Sequence, residues 1–372
     1  MSWITLAPLQ DRPGHLACAC DVALPPDEPV LAGEPGLGVA MASFACTVLC
    51  QALTASVLPM AGQVLTSNHA WAPLPYALTL VGAATATLPA ALLSGTLGRR
   101  AGLALGASLG FAGGCLAAWG FASGHFSGLA LGSFWLGLAQ GFGFFHRHGQ
   151  TALASNKART VAFLLGSGCL AALLAPALLS LSLHLAGPLA PAVALTLAGT
   201  TQVMIMALAL VPARERQLHA ARVMPAAAGR GRVLAAAAMG AMAWFGMSWL
   251  MAGTAPLMAA CGLGAPLAAA VIAWHVLWMY APAAVARRAL ARLGGARSVF
   301  LGLVFVLGAV VLARHASTLS GFATALALGG SGWSLATFGT TLWLHADGPP
   351  PPRLLALHDG LLFAGAVAGA LV

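Results

Sequence analysis

From residue 38 onward the chain alternates apolar runs of about twenty residues, the length that crosses a bilayer as a helix, with short loops that hold nearly all of its basic residues. The runs fall at 38–64, 74–97, 101–122, 126–146, 160–184, 188–211, 233–258, 265–286, 298–314, 318–344 and 355–372. They predict eleven spanning helices, the last one short and running into the chain end. The expected class is therefore an all-α polytopic membrane protein. Orientation follows from the loops, because Lys and Arg are retained on the cytoplasmic side. Of 17 basic residues, fifteen lie in or beside the even-numbered loops (Arg99, Arg100, Arg147, Lys157, Arg159, Arg214, Arg216, Arg222, Arg230, Arg232, Arg287, Arg288, Arg292, Arg297 and Arg353). That places the amino terminus inside and, with eleven spans, the carboxyl terminus outside.

Composition sharpens this picture. With 60% apolar and 7% charged residues the chain is no ordinary soluble domain. The net charge of +9 sits in interhelical loops, which is the pattern of membrane orientation and calls for no nucleic acid. Residues 1–36 are polar, Pro-rich and slightly acidic, without the basic start and apolar core of a signal peptide, and are expected to form a disordered cytoplasmic tail. The seven Cys, at 18, 20, 46, 50, 115, 169 and 261, lie mostly inside apolar runs and form no secreted disulfide framework.

The longest loop, 212–232, divides the spans into a six-helix half at 37–211 and a five-helix half at 233–372. Two loops in corresponding positions share an order: Pro89 leads to Leu97-Gly98-Arg99-Arg100, and Pro282 leads to Leu293-Gly294 and Arg297. Gly95, Gly98, Arg99 and Arg100 in Ser94-Gly95-Thr96-Leu97-Gly98-Arg99-Arg100 resemble the loop after the second helix of the major facilitator superfamily, without its usual acidic residue. The resemblance implies a bundle of two related halves, whose twelfth helix would then be missing here.

Ionisable groups are scarce in the spans: from Gly36 to Ala346 the one acidic residue is Glu215, in the central loop. His275 stands near mid-membrane, and Asp359, at the start of the last span, is a secondary candidate. Met247 and Met251 lie one helical turn apart, as do His275 and Met279. Counting out from the turn near Cys261 puts Met247 and His275 at nearly equal depth. Thioethers with an imidazole form a soft ligand set that favours Cu(I). Cys46 and Cys50, on the equivalent helix of the first half, are auxiliary ligand candidates, as are Met258 and Cys261. Ordinary packing is the competing account for each of these residues. Cys18 and Cys20 offer a further soft pair in the tail. His146 and His148 flank Arg147 at the inner end of the fourth span, as an anchor at the lipid interface.

Met247-x-x-x-Met251 and His275-x-x-x-Met279, with Thr254-Ala255-Pro256-Leu257-Met258 between them, resemble the CcoA-like copper importers of that superfamily. This resemblance implies a monomeric, multi-pass carrier of a bacterial inner membrane. Copper would be its transported substrate, held by Met247, Met251, His275 and Met279, passed to a cytoplasmic copper acceptor and destined for haem-copper oxidase assembly. No tightly bound cofactor is expected. The alternatives are a major facilitator carrier of a small organic solute such as a flavin or drug, and a non-transporting assembly partner of an oxidase. No nucleophile, base and acid converge in the spans, so enzymatic activity is not expected.

Overall fold

The computed structural model describes residues 36–211 and 229–371. Its helices are α1 (Leu37–Leu65), α2 (Leu74–Thr96), α3 (Arg99–Ala122), α4 (Phe126–Leu153), α5 (Lys157–Ala186), α6 (Ala190–Leu210), α7 (Arg230–Ala260), α8 (Ala265–Val285), the short α9 (Arg287–Leu293), α10 (Gly295–His315), α11 (Leu319–Leu344) and α12 (Pro352–Leu371). There is no strand among the described residues. Each of the eleven apolar runs became one long helix, because a backbone in hydrocarbon must satisfy its own hydrogen bonds. The tail with Cys18 and Cys20, and most of the central loop, lie outside the described residues.

Two departures from the sequence pattern matter. The fourth helix does not stop at 146 but continues to Leu153, carrying Arg147 and His148 inside it. And α11 is missing from the nine stretches that are apolar enough to cross a membrane by composition, one of which covers α5 and α6 together. Its Gly, Ser and Thr residues lower its hydropathy, yet it is the most enclosed helix, with buried residues on every side from Gly329 to Thr341.

Packing follows the same plan on both sides of the central loop. Pairings of α1 with α5, α2 with α4 and α3 with α4 are matched by α7 with α12, α8 with α11 and α10 with α11. Across the groups, α2 meets α12 and α5 meets α8, again a matched pair. Close approach rests on small residues, as membrane helices without a hydrophobic drive between them require. A Cβ on Gly330 of α11 would lie 2.7 Å from the His275 carbonyl oxygen of α8, and Gly137 of α4 stands tighter still against the Thr79 carbonyl of α2. The paired loops match in backbone too: Gly98 (φ 86°, ψ 156°) opens α3 and Gly294 (φ 79°, ψ 172°) opens α10. These are left-handed turns that favour glycine.

Alternation of the helices gathers the starts of α1, α5, α7 and α12 at one end. Arg99, Arg100 and His146 line a small crevice there with Gly36 and Val211, and Arg232 at the start of α7 is ion-paired with Asp347 beyond α11. We call this the basic end.

Candidate functional site

A central cavity opens where the two helix groups face each other. Gln51, Ala52 and Ala55 of α1, Tyr76 and Leu80 of α2, Trp244, Met247, Ser248 and Met251 of α7, Val276 and Met279 of α8, and Ala366 of α12 line it. The free space among these atoms, its solvent-open part included, is about 430 Å³, and the enclosed part holds no more than a few waters. Among the described residues a direct hydrogen bond crosses between the groups at this level, from Tyr280 Oη to Gln51 Oε1 at 3.2 Å.

A layer of rings closes the cavity toward the basic end. Trp244 stacks at an angle on Trp333 (centroids 5.2 Å apart) and meets Phe363 (5.0 Å) and Phe144 (6.3 Å). Tyr280 packs on Trp333 at 5.6 Å, and Phe44 bridges Phe144 and Tyr280. Trp244 Nε1 donates to Thr337 Oγ1 at 3.2 Å, which fixes the indole in this layer.

Below the rings lies a buried polar cluster. Arg147 Nη2 donates to Asp359 Oδ1 at 2.7 Å, joining α4 to α12, while its Nε reaches Thr341 Oγ1 at 3.2 Å and its Nη1 the Phe144 carbonyl at 2.8 Å. His148 Nε2 lies 3.0 Å from the same Asp359 oxygen, and His148 Nδ1 lies 3.1 Å from His345 Nε2. His358 Nδ1 adds a third partner to Asp359 Oδ1 at 2.8 Å. Lys157, opening α5, donates to the His345 carbonyl. Both members of the Arg147–Asp359 pair are almost wholly buried, at 2% and 1% exposure, so the charges are stable only together. Burial, reinforced by the positive neighbours, holds the imidazole of His345, just past α11, neutral and far below its ordinary range.

The three levels follow the order of residues along each helix. On α12, Asp359 is in the cluster, Phe363 in the ring layer and Ala366 on the cavity. On α4, Arg147 precedes Phe144 toward the cavity.

The soft-ligand residues do not assemble as expected. Met247, Met251 and Met279 do share the cavity wall. His275 does not: its Nδ1 donates to the Leu326 carbonyl at 2.7 Å, its ring lies against Gly329 of α11, and its buried Nε2 has no protein partner. Cys46 packs with Leu103, Ala107 and Ile205, away from the cavity. Cys50 packs among Leu53, Leu136 and Ala194, with Gln140 Nε2 at 3.8 Å. Met258 belongs to a separate core with Val271 and Phe322, and Cys261 is exposed at the end of α7. A spacing of four sets which residues share a helix face, but not which way that face points. Gly95 is exposed, Gly98 makes the turn, and Arg99 and Arg100 face the crevice at the basic end.

The anchor reading of Arg147 and His148 is also corrected: they are buried between helices, because α4 runs on past them. His345 and His358 were missed entirely. The signal was present, since an Arg inside an apolar helix needs a counter-ion, and Asp359 is the acid at matching depth.

No family model matches the chain. Two solved transporters share its architecture. The human organic anion transporter MFSD10 (TETRAN) superimposes with TM-score 0.66 at 16% identity, covering 90% of this chain and 91% of that one. The proton:xylose symporter XylE, a major facilitator protein bound to 6-bromo-6-deoxy-D-glucose, gives 0.68 at 13% identity over 90% and 86%. This is the major facilitator fold. In sequence, the chain is 28% identical over 338 residues to the riboflavin transporter RfnT of Brucella anthropi, spanning 86% of this chain and 85% of that protein. All three relatives are carriers and not enzymes, in agreement with the expected lack of catalysis. The expectation of copper import, with its copper acceptor and oxidase, is overturned: the sequence relative is a major facilitator carrier of an organic vitamin.

Proposed function

We propose that the protein carries riboflavin, or a planar organic solute close to it, through the central cavity by alternating access. The observation that carries this reading is the likeness to RfnT along 86% of the chain. The lining agrees with it in chemical kind. Tyr76 and Trp244 offer ring faces, Met247, Met251 and Met279 offer polarisable thioethers that suit aromatic partners, and Gln51 and Ser248 offer the few convergent polar groups that orient a ligand. The enclosed room takes only a few waters, too little for a tricyclic flavin, so the solute enters as the halves at 37–211 and 233–372 part and the ring layer closes behind it. In this reading the basic end faces the cytoplasm and the amino terminus lies inside, in a bacterial inner membrane, with the chain working as a monomer; the basic loops support that orientation.

The test is uptake of labelled riboflavin by a riboflavin-requiring strain that lacks its own importer. Expression of the chain restores growth at low external riboflavin, and Trp244→Ala lowers uptake at equal membrane abundance. No uptake by well-expressed wild type, or full uptake by the Trp244 variant, sinks the reading.

A further inference from the structure

A second contact between the helix groups near the basic end is built differently from the polar cluster. Gly166 of α5 approaches α8 so closely that a Cβ there would lie 3.0 Å from the Ala284 Cα. One turn nearer the basic end, Phe163 of α5 carries two guanidinium groups on its ring. Arg159 Cζ, from α5 itself, lies 5.4 Å from the ring centroid, and Arg287 Cζ, from the start of α9, lies 5.1 Å from it. Leu290, one turn along α9, is buried in the same core as Ala162 and seats α9 against α5.

Two like charges from opposite halves therefore share one ring. Each is attracted to the π face, but no carboxylate among the described residues stands between them. The two that are described, Asp347 and Asp359, are paired with Arg232 and Arg147. Arg288 and Arg292 of α9 add two more exposed positive charges. Beside this basic rim the surface turns apolar. Val285, two residues before Arg287, is 81% exposed. Leu170 and Leu174 are exposed as well, and stand seven and eleven positions after Phe163, on the same stripe of α5. A charged rim that leads into an apolar flank has the profile of a phospholipid, whose phosphate meets the rim while an acyl chain follows the flank. A soluble anion would use the rim alone.

We propose that an anionic phospholipid seats its phosphate between Arg159 and Arg287, with an acyl chain along Leu170 and Leu174, and that it holds the two halves together at the basic end. Basic pockets between membrane helices suit anionic headgroups, and a guanidinium offers phosphate oxygens paired N–H donors. With the phosphate in place the two arginines share a counter-ion as well as a ring. When the halves part, Arg159 and Phe163 leave with α5 and Arg287 with α9, so one headgroup no longer serves both. The lipid binds more tightly to the arrangement closed at this end, and by reciprocity it favours that arrangement.

The test needs no solute. The full chain is placed in nanodiscs of phosphatidylcholine alone or mixed with phosphatidylglycerol, and hydrogen–deuterium exchange is followed in peptides covering 156–163 and 285–293. Phosphatidylglycerol slows exchange there by about fivefold or more, the lower end of ordinary coupling between sites, and native mass spectrometry finds it retained on the protein. Arg159→Gln and Arg287→Gln each lose most of the slowing and the retained lipid. Arg353→Gln, which removes an equal charge from the start of α12, keeps both. Inorganic phosphate added to phosphatidylcholine discs leaves exchange unchanged. Exchange that ignores phosphatidylglycerol overturns the proposal, and so does an equal loss in Arg353→Gln, which would mark a diffuse positive surface. Slowing by inorganic phosphate alone would make the seat one for a soluble anion and remove the lipid. Should Arg159→Gln fail to accumulate, Arg287→Gln against Arg353→Gln decides. Absence of riboflavin uptake would remove the solute and leave this seat standing.

Discussion

The two helix groups meet at two levels built on opposite principles. Around the cavity the contact is apolar and replaceable, with Met247, Met251 and Met279 facing Tyr76 and Leu80 and a hydrogen bond between Tyr280 and Gln51. At the basic end it is ionic, with Arg147, His148, His345 and Asp359 linked to one another away from water. Weak contacts can part and re-form around a solute at little cost. A buried charge pair is closer to all or none, since either member alone is an uncompensated charge.

The sharpest way to break this comparison is to remove one member of the pair. Arg147→Met strands Asp359 and is expected to cost about 3–5 kcal/mol, read as a large fall in unfolding temperature, whereas Arg147→Met with Asp359→Leu recovers most of it. Equal loss in the single and double variants would mean that the pair is not what joins these helices. A smaller effect is expected at the cavity. Replacing Met247, Met251 and Met279 together by Leu keeps volume and apolarity, at less than about 1.5 kcal/mol for each site, and leaves solute uptake largely intact. Abolished uptake would show that the sulfur atoms themselves are required. The smallest effect belongs to Tyr280→Phe, which deletes the hydrogen bond to Gln51. Such interhelical bonds contribute about 0.6 kcal/mol on average, so a slightly faster opening is expected and nothing more.

Much of the architecture was legible in the sequence. Twenty-residue apolar runs forced the long helices, and Leu97-Gly98-Arg99 against Leu293-Gly294 pointed to positions where the backbone makes matching positive-φ turns at Gly98 and Gly294. The site was less legible, for two physical reasons. Helical spacing put Met247 with Met251 and His275 with Met279, but the rotation of α8 about its axis, set by Gly330 against the His275 backbone, turned the imidazole toward α11. The polar cluster is assembled from the ends of α4, α11 and α12, far apart in sequence. Arg147 and His148 looked like loop residues because charge lowers hydropathy just where a counter-ion waits in the fold.

The composition of α11 reaches beyond the finished molecule. A helix in which Gly, Ser and Thr fill twelve of 26 positions, the least apolar of the long helices by composition, gains less than its neighbours by leaving the translocon alone. Its closest partner is α10, synthesised just before it, which is strongly apolar and meets it glycine to glycine at Gly302 and Gly332. The most enclosed helix of the bundle is thus the one that partitions least well into lipid alone, and its place rests on the small-residue contact with α10.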